Sequence, residues 1–167
     1  MTLSICVAQL NFVVGDTAGN AQKIIDAAQQ AHARGARMLL TPELAICGYA
    51  AEDLFLRPSF SEACQQAVSE VQHALADLGS MHVVVGHPSG DDIRTRSVSV
   101  PQRYNMASVF CEGRLVASYA KRELPNYQVF DERRYFVAGT EPCVFEVEGV
   151  RVGLLVCEDA WFAEPAR

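Results

Sequence analysis

Three residues of types that could act together on a carbonyl carbon stand far apart in the chain: Glu43, Lys121 and Cys157. Cys157 closes the apolar run Val152-Gly-Leu-Leu-Val156 and opens the polar stretch Glu158-Asp159-Ala160-Trp161. A thiol becomes a strong nucleophile once it loses its proton, and a carboxylate within reach can take that proton. An ammonium facing the attacked carbonyl would hold the oxyanion as charge develops. Each residue alone has an ordinary explanation. Cys157 could be one more small buried apolar residue, Glu43 a first-turn carboxylate behind Pro42, and Lys121 a solvated strand-end charge. No histidine is well placed to pair with the thiol, since His32 and His73 fall on predicted helices while His82 and His87 bracket a predicted strand.

The elements that must position these groups can be read from periodicity. Leu3 to Leu10 reads as a first strand, and Asn20 caps a helix running to about Ala33, with Ile24, Ala27, Ala28 and Ala31 on one face. Arg37 to Thr41 is a second strand, stopped by Pro42. Ser59-Phe-Ser-Glu62 behind Pro58 reads as a capping box, opening a helix that ends at Gly79. Met81 to Gly86 is a third strand, and the polar stretch Pro88 to Pro101 an exposed connection. Two hairpins follow. One joins Tyr104–Phe110 to Leu115–Tyr119 through Glu112-Gly113, and the other joins Cys143–Val147 to Val150–Val156 through Glu148-Gly149. Between them, Lys121 to Gly139 is non-periodic and rich in charge and aromatics, as functional loops are. The order strand–helix–strand–helix–strand followed by hairpins predicts an α/β fold with a mixed sheet and helices on one face. Glu43, Lys121 and Cys157 all fall at strand ends, where α/β folds gather catalytic groups.

Composition narrows the function. Half of the 167 residues are hydrophobic, enough for a core, and the net charge of −6 argues against nucleic acid or an anionic membrane as partner. No apolar run reaches membrane-spanning length, and the amino terminus reads as a strand rather than a signal peptide. The six cysteines are scattered without zinc-type spacing, so no metal site is expected and a reducing cytoplasm is. No G-x-x-x-x-G-K or Ser-Gly-Gly-x-Asp-Ser run is present, so ATP chemistry is not expected within these residues.

Thr41-Pro42-Glu43-Leu44, Lys121-Arg122-Glu123-Leu124 and Val156-Cys157-Glu158-Asp159 resemble, in order, the three catalytic blocks of the nitrilase (carbon–nitrogen hydrolase) superfamily. The resemblance runs from Ala8-Gln9 to Trp161 and implies that superfamily's αββα sandwich, here reaching just past the nucleophile strand. Glu43-Leu-Ala-Ile-Cys-Gly-Tyr49, the run from Lys121 through Leu-Pro-Asn-Tyr127 to Phe136, and Cys157-Glu-Asp-Ala-Trp161 are similar, more narrowly, to the glutaminase domains of bacterial glutamine-dependent NAD⁺ synthetases. That likeness implies a glutamine amidohydrolase with Cys157 as nucleophile, Glu43 as base and Lys121 as oxyanion holder. It further implies Tyr127 and Tyr49 in the glutamine pocket and Glu132 as an additional glutamate supporting the lysine or the base. On this reading residues 1–167 are the N-terminal portion of a hydrolase domain. A synthetase domain using ATP and Mg lies elsewhere in a homo-oligomeric parent enzyme. Another Glu–Lys–Cys amidase or nitrilase acting on a small amide, or a non-catalytic fragment, are the alternatives.

Overall fold

The computed structural model describes residues 2–89 and 103–166. The expected exposed connection therefore lies, from Gly90 to Pro101, outside the described residues. Strands β1 (Ile5–Val7), β2 (Met38–Leu40), β3 (His82–Pro88), β4 (Asn105–Cys111) and β5 (Arg114–Ala120) form one sheet in sequential order. β1, β2 and β3 run parallel, joined by helices α1 (Thr17–Ala33) and α2 (Pro58–Ala74), while β4 and β5 are antiparallel additions. A separate antiparallel pair, β6 (Val144–Val147) and β7 (Val150–Gly153), begins the second layer.

Alternation along the strands divides the core in two. Leu39, Val83, Val85 and Phe110 face the helices, meeting Ile24, Ala28 and Ala31 of α1 and Cys64, Ala67 and Val71 of α2. Met38, Val84, Ala107, Val109 and Tyr119 point the other way, toward Val147, Leu154 and Val156. Toward β1 that second face is open, with Ile5 and Val7 exposed. The helices thus share one face of a mixed sheet, as expected.

Four local readings are corrected. The predicted strand Val150–Val156 pairs only to Gly153; beyond Leu154, whose N–H reaches the Cys143 carbonyl, the chain runs on without a ladder partner among the described residues. Asn20 is not the cap of α1. Asp16 is, accepting from the Gly19 N–H at 3.0 Å, while Asn20 is buried and ties Val13 and Ile46 together. The Ser59 capping box is absent, because α2 begins two residues earlier, with Pro58 in its first turn and Arg57 at the cap. The helix itself stops at Ala74, the chain reaching Gly79 through turns. Both hairpin turns match their reading. Glu112-Gly113 and Glu148-Gly149 take positive φ at both positions (51° and 70°, 48° and 80°), as tight hairpins require.

Candidate active site

Topology brings the strand ends together. β4 runs antiparallel to β3, so its first residue, Asn105, lies beside Pro88 at the end of β3. β5 returns antiparallel to β4, so its last residue, Ala120, lies beside Met106. The parallel β2 ends on the same edge. Glu43 just past β2, Asn105 opening β4 and Lys121 just past β5 therefore meet at one end of the sheet.

Backbone contacts fix each of these residues. The Thr41 hydroxyl donates to the Val84 carbonyl at 3.0 Å and accepts from the Gly86 N–H at 3.2 Å, and the Ile46 N–H reaches the Gly86 carbonyl at 3.1 Å. The turn carrying Glu43 is thereby tied to the end of β3. Lys121 donates its N–H to the Asn105 carbonyl at 2.8 Å and accepts from the Gly139 N–H at 2.9 Å. Glycines sit where these segments press closest. A Cβ on Gly86 would overlap the Pro42 carbonyl oxygen, and one on Gly139 would overlap that of Ala120. Gly86→Ala is expected to cost about 1–3 kcal/mol of stability by overpacking. Because it pushes on both neighbours of Glu43, it should also lower amide turnover; a denaturant melt and a hydrolysis assay read the two effects.

The side chains form a buried ionic network. The Lys121 ammonium, with no exposed surface, donates to Glu43 Oε1 at 2.6 Å and to both oxygens of Glu132 at 2.9 and 3.0 Å. Asn105 Nδ2 donates to the same Glu43 oxygen at 2.7 Å, and the Tyr49 hydroxyl donates to Glu132 Oε1 at 3.0 Å. The lysine bridges two carboxylates much as a metal cation would. Among the described residues, no cluster of three or more His, Cys, Asp or Glu could hold a metal ion. Burial alone would push the lysine pKa down, but the charges and hydrogen bonds of Glu43 and Glu132 outweigh it and hold the value above the ordinary one. Burial and the nearby Glu43 charge push Glu132 up, against the pull of Lys121 and Tyr49.

Cys157 opens a short 3₁₀ turn, Cys157–Trp161, with its own φ at +47°, a left-handed conformation that non-glycine residues seldom adopt. The preceding extended residues deliver it beside Glu43. The two line a cavity of about 200 Å³ with Thr41, Gly86, Met106 and Leu154. Partial burial pushes the thiol pKa up, and the Glu43 charge adds to this, while Lys121 opposes it. The free thiol therefore favours its neutral form, with the Glu43 side chain in the same cavity. We expect its alkylation by iodoacetamide to rise with pH around a midpoint above the usual thiol value of about 8.5. Lys121→Met should move that midpoint further up and Glu43→Gln down, both read from rate–pH profiles.

The other expected residues take distinct places. Tyr127 donates to both carboxylate oxygens of Glu158 at 3.1 Å, at the rim of a cavity of about 260 Å³ lined also by Asn126, Arg133 and Phe162. Tyr49 and Glu132 line a further cavity of about 310 Å³ floored by Leu44, Phe55 and Phe136. The ladder of contacts around Lys121 includes one residue that motif reading passed over, Asn105. Its only signal in the sequence was a polar residue near the start of a largely apolar predicted strand. His87 is no candidate, since its ring is taken up by Ser108 at 2.8 Å and the Pro88 carbonyl at 2.9 Å, and burial pushes its pKa down.

Comparison with known proteins shows the family and the fold. A family model described as carbon-nitrogen hydrolase matches residues 4–167. The chain is 47% identical over 166 residues to a glutamine-dependent NAD(+) synthetase of Xylella fastidiosa, covering 98% of this chain and 28% of that protein. It superposes with a TM-score of 0.84 and 34% identity on the glutamine-dependent NAD+ synthetase of Acinetobacter baumannii solved with ADP, covering 97% of this chain and 29% of the other. A variant of the amidase from Nesterenkonia sp. AN1, carrying acrylamide added at its active-site cysteine, gives a TM-score of 0.83 at 30% identity, with 98% and 61% covered. The chain thus spans somewhat more than a quarter of the length of the synthetases it matches. With its sandwich topology and its Glu, Lys and Cys converging on one sheet edge, this chain belongs to the carbon–nitrogen hydrolase family.

Proposed function

We propose that this chain carries the glutamine-hydrolysing chemistry of a glutamine-dependent NAD⁺ synthetase. The observation that carries the reading is the buried Glu43–Lys121–Glu132 network beside a cysteine that shares a cavity with Glu43. Glu43 takes the Sγ proton as Cys157 attacks the side-chain carboxamide carbon of glutamine. The oxygen of that carbonyl becomes an oxyanion, which Lys121 stabilises together with the backbone N–H of Glu158. An ammonium has three N–H groups. One serves Glu43, one forks between the two Glu132 oxygens, and the third is left for the oxyanion. Collapse of the intermediate breaks the C–N bond, the nitrogen leaving as ammonia with the proton held by Glu43. A γ-glutamyl thioester remains on Cys157. Glu43 then deprotonates a water that attacks the thioester, releasing glutamate and returning the thiol.

Glu132 keeps the ammonium charged and aimed, and Tyr49 orients Glu132. Glu158, one residue beyond the nucleophile and held by Tyr127, presents an anion in the cavity that these two residues line. That suits an amide whose other end is an α-ammonium, as in glutamine. ATP and Mg act in a separate synthetase domain that uses the ammonia to amidate nicotinic acid adenine dinucleotide; the greater length of the synthetases and the ADP bound by the A. baumannii enzyme support this. The parent is read as a cytoplasmic homo-oligomer, and the chain's net charge of −6 gives it no basic surface for nucleic acid or an anionic membrane.

The likeness to the Nesterenkonia amidase, a larger share of which this chain covers, favours one other reading, a hydrolase of small uncharged amides. Assays of the protein carrying this chain separate the two. Glutamate release from glutamine at a kcat/KM at least about 100-fold above that for acetamide or propionamide is expected. Equal or inverted preference would overturn the glutamine reading.

A further inference from the structure

We propose that Asp159 is a positioning residue that sets the Cys157 sulfur and the Lys121 ammonium at their working separation. This rests on the hydrolase reading above but names a residue outside the Glu–Lys–Cys set. Asp159 has no exposed surface, and its carboxylate meets four donors. Oδ1 accepts from the Glu123 N–H at 2.7 Å and the Arg122 N–H at 3.1 Å. Oδ2 accepts from the Tyr119 hydroxyl at 2.8 Å and the Val156 N–H at 3.0 Å.

The identity of these donors is what matters. Tyr119 precedes Lys121 by two residues, and Arg122 and Glu123 follow it, so one carboxylate grips the lysine-bearing segment on both sides. Val156 immediately precedes Cys157. The Asp159 N–H also returns to the Val156 carbonyl at 3.1 Å, closing a ring around Cys157 and Glu158. That ring holds Cys157 in its left-handed conformation. The same side chain therefore fixes the nucleophile turn internally and docks it onto the end of β5.

A carboxylate is an acceptor on both oxygens, which suits four donors. Asparagine cannot copy it. Whichever way the amide is turned, its NH₂ faces at least one backbone N–H. Burial and the bond to Asp159 also hold the Tyr119 hydroxyl above the ordinary phenol value, keeping it a donor. A shift of about 1 Å between reacting groups can cost on the order of 100-fold in rate. Asp159 should thus act on the chemical step more than on substrate capture.

The test uses the protein carrying this chain, with glutamine as substrate, and the variants Asp159→Asn, Tyr119→Phe and their combination. Asp159→Asn is expected to lower kcat about 100-fold with KM within about threefold. Tyr119→Phe, which removes one donor and leaves the backbone bonds, should lower kcat about fivefold. The double variant should be no worse than Asp159→Asn, because both act through one link. A folded Asp159→Asn protein whose kcat stays within threefold of the parent, or whose loss lies in KM, overturns the proposal. If Asp159→Asn does not fold, Tyr119→Phe decides alone, and an unchanged kcat overturns it. Should the unaltered protein hydrolyse no amide, the hydrolase reading fails separately. The rate of Cys157 alkylation by iodoacetamide then still tests Asp159: slower labelling in the variants supports its role, and equal rates overturn it.

Discussion

Cys157→Ala is expected to abolish ammonia release from glutamine, by on the order of 10⁴-fold or more, while leaving the fold intact. The large effect follows from chemistry. Without sulfur no thioester forms, and Glu43 has no thiol to deprotonate. The small structural effect follows from position, because residue 157 is exposed and belongs to neither core cluster. Its backbone conformation is held by Val156 and Asp159 rather than by its own side chain. On the proposed synthetase reading, synthesis supplied with free ammonia should continue at its normal rate in the parent protein, since that route bypasses the cysteine. Measuring glutamate release and ammonia-dependent amidation side by side checks both halves. Loss of both activities would contradict the role given to Cys157.

Lys121→Met is expected to damage stability and catalysis together. Its ammonium has no exposed surface and lies within 2.9 Å of two carboxylates that are themselves largely buried. Removing the cation leaves Glu43 and Glu132 facing each other across an apolar side chain. Breaking a buried ion pair by deleting one partner typically costs about 3–5 kcal/mol, because the remaining charge is uncompensated. One of the two carboxylates should take up a proton in response. The melting temperature should fall accordingly, and glutamine turnover should vanish with the oxyanion donor. Adding Glu132→Gln to Lys121→Met removes a charge and should recover part of the stability but none of the activity. Recovery of activity in that double variant would mean that the lysine serves only to balance charge. Denaturant melts and a glutaminase assay on the single and double variants decide the point.

Much of this was legible in the sequence because the informative residues sit at element boundaries. Glu43, Lys121 and Cys157 each follow an apolar run, and the strand–helix alternation implied that the ends of those runs would share an edge. The hairpin turns were legible because Glu-Gly pairs between apolar segments admit positive φ. What could not be read depends on partners distant in the chain. Asn20 looks like a cap by local chemistry, yet tertiary burial gives its amide to Val13 and Ile46, and Asp16 takes the helix end instead. Leu154 to Val156 has the composition of a paired strand, but composition does not reveal whether a neighbour is present to pair with it. Asn105 and Asp159 are single polar residues whose importance appears only when Glu43, Tyr119 and Arg122 surround them. Glu132 and Tyr49 entered through family resemblance; no local pattern marks a glutamate in a non-periodic loop as the second anchor of a lysine.

The most direct test is the mass of the intact protein carrying this chain, quenched in acid during steady turnover of glutamine, with peptide mapping of any adduct. The account predicts a γ-glutamyl group on Cys157 in the unaltered protein and none on the same timescale in Glu43→Gln, where the thiol has lost its base. A rapidly formed adduct on Cys157 in Glu43→Gln, or turnover with the acyl group carried on any other residue, would contradict it.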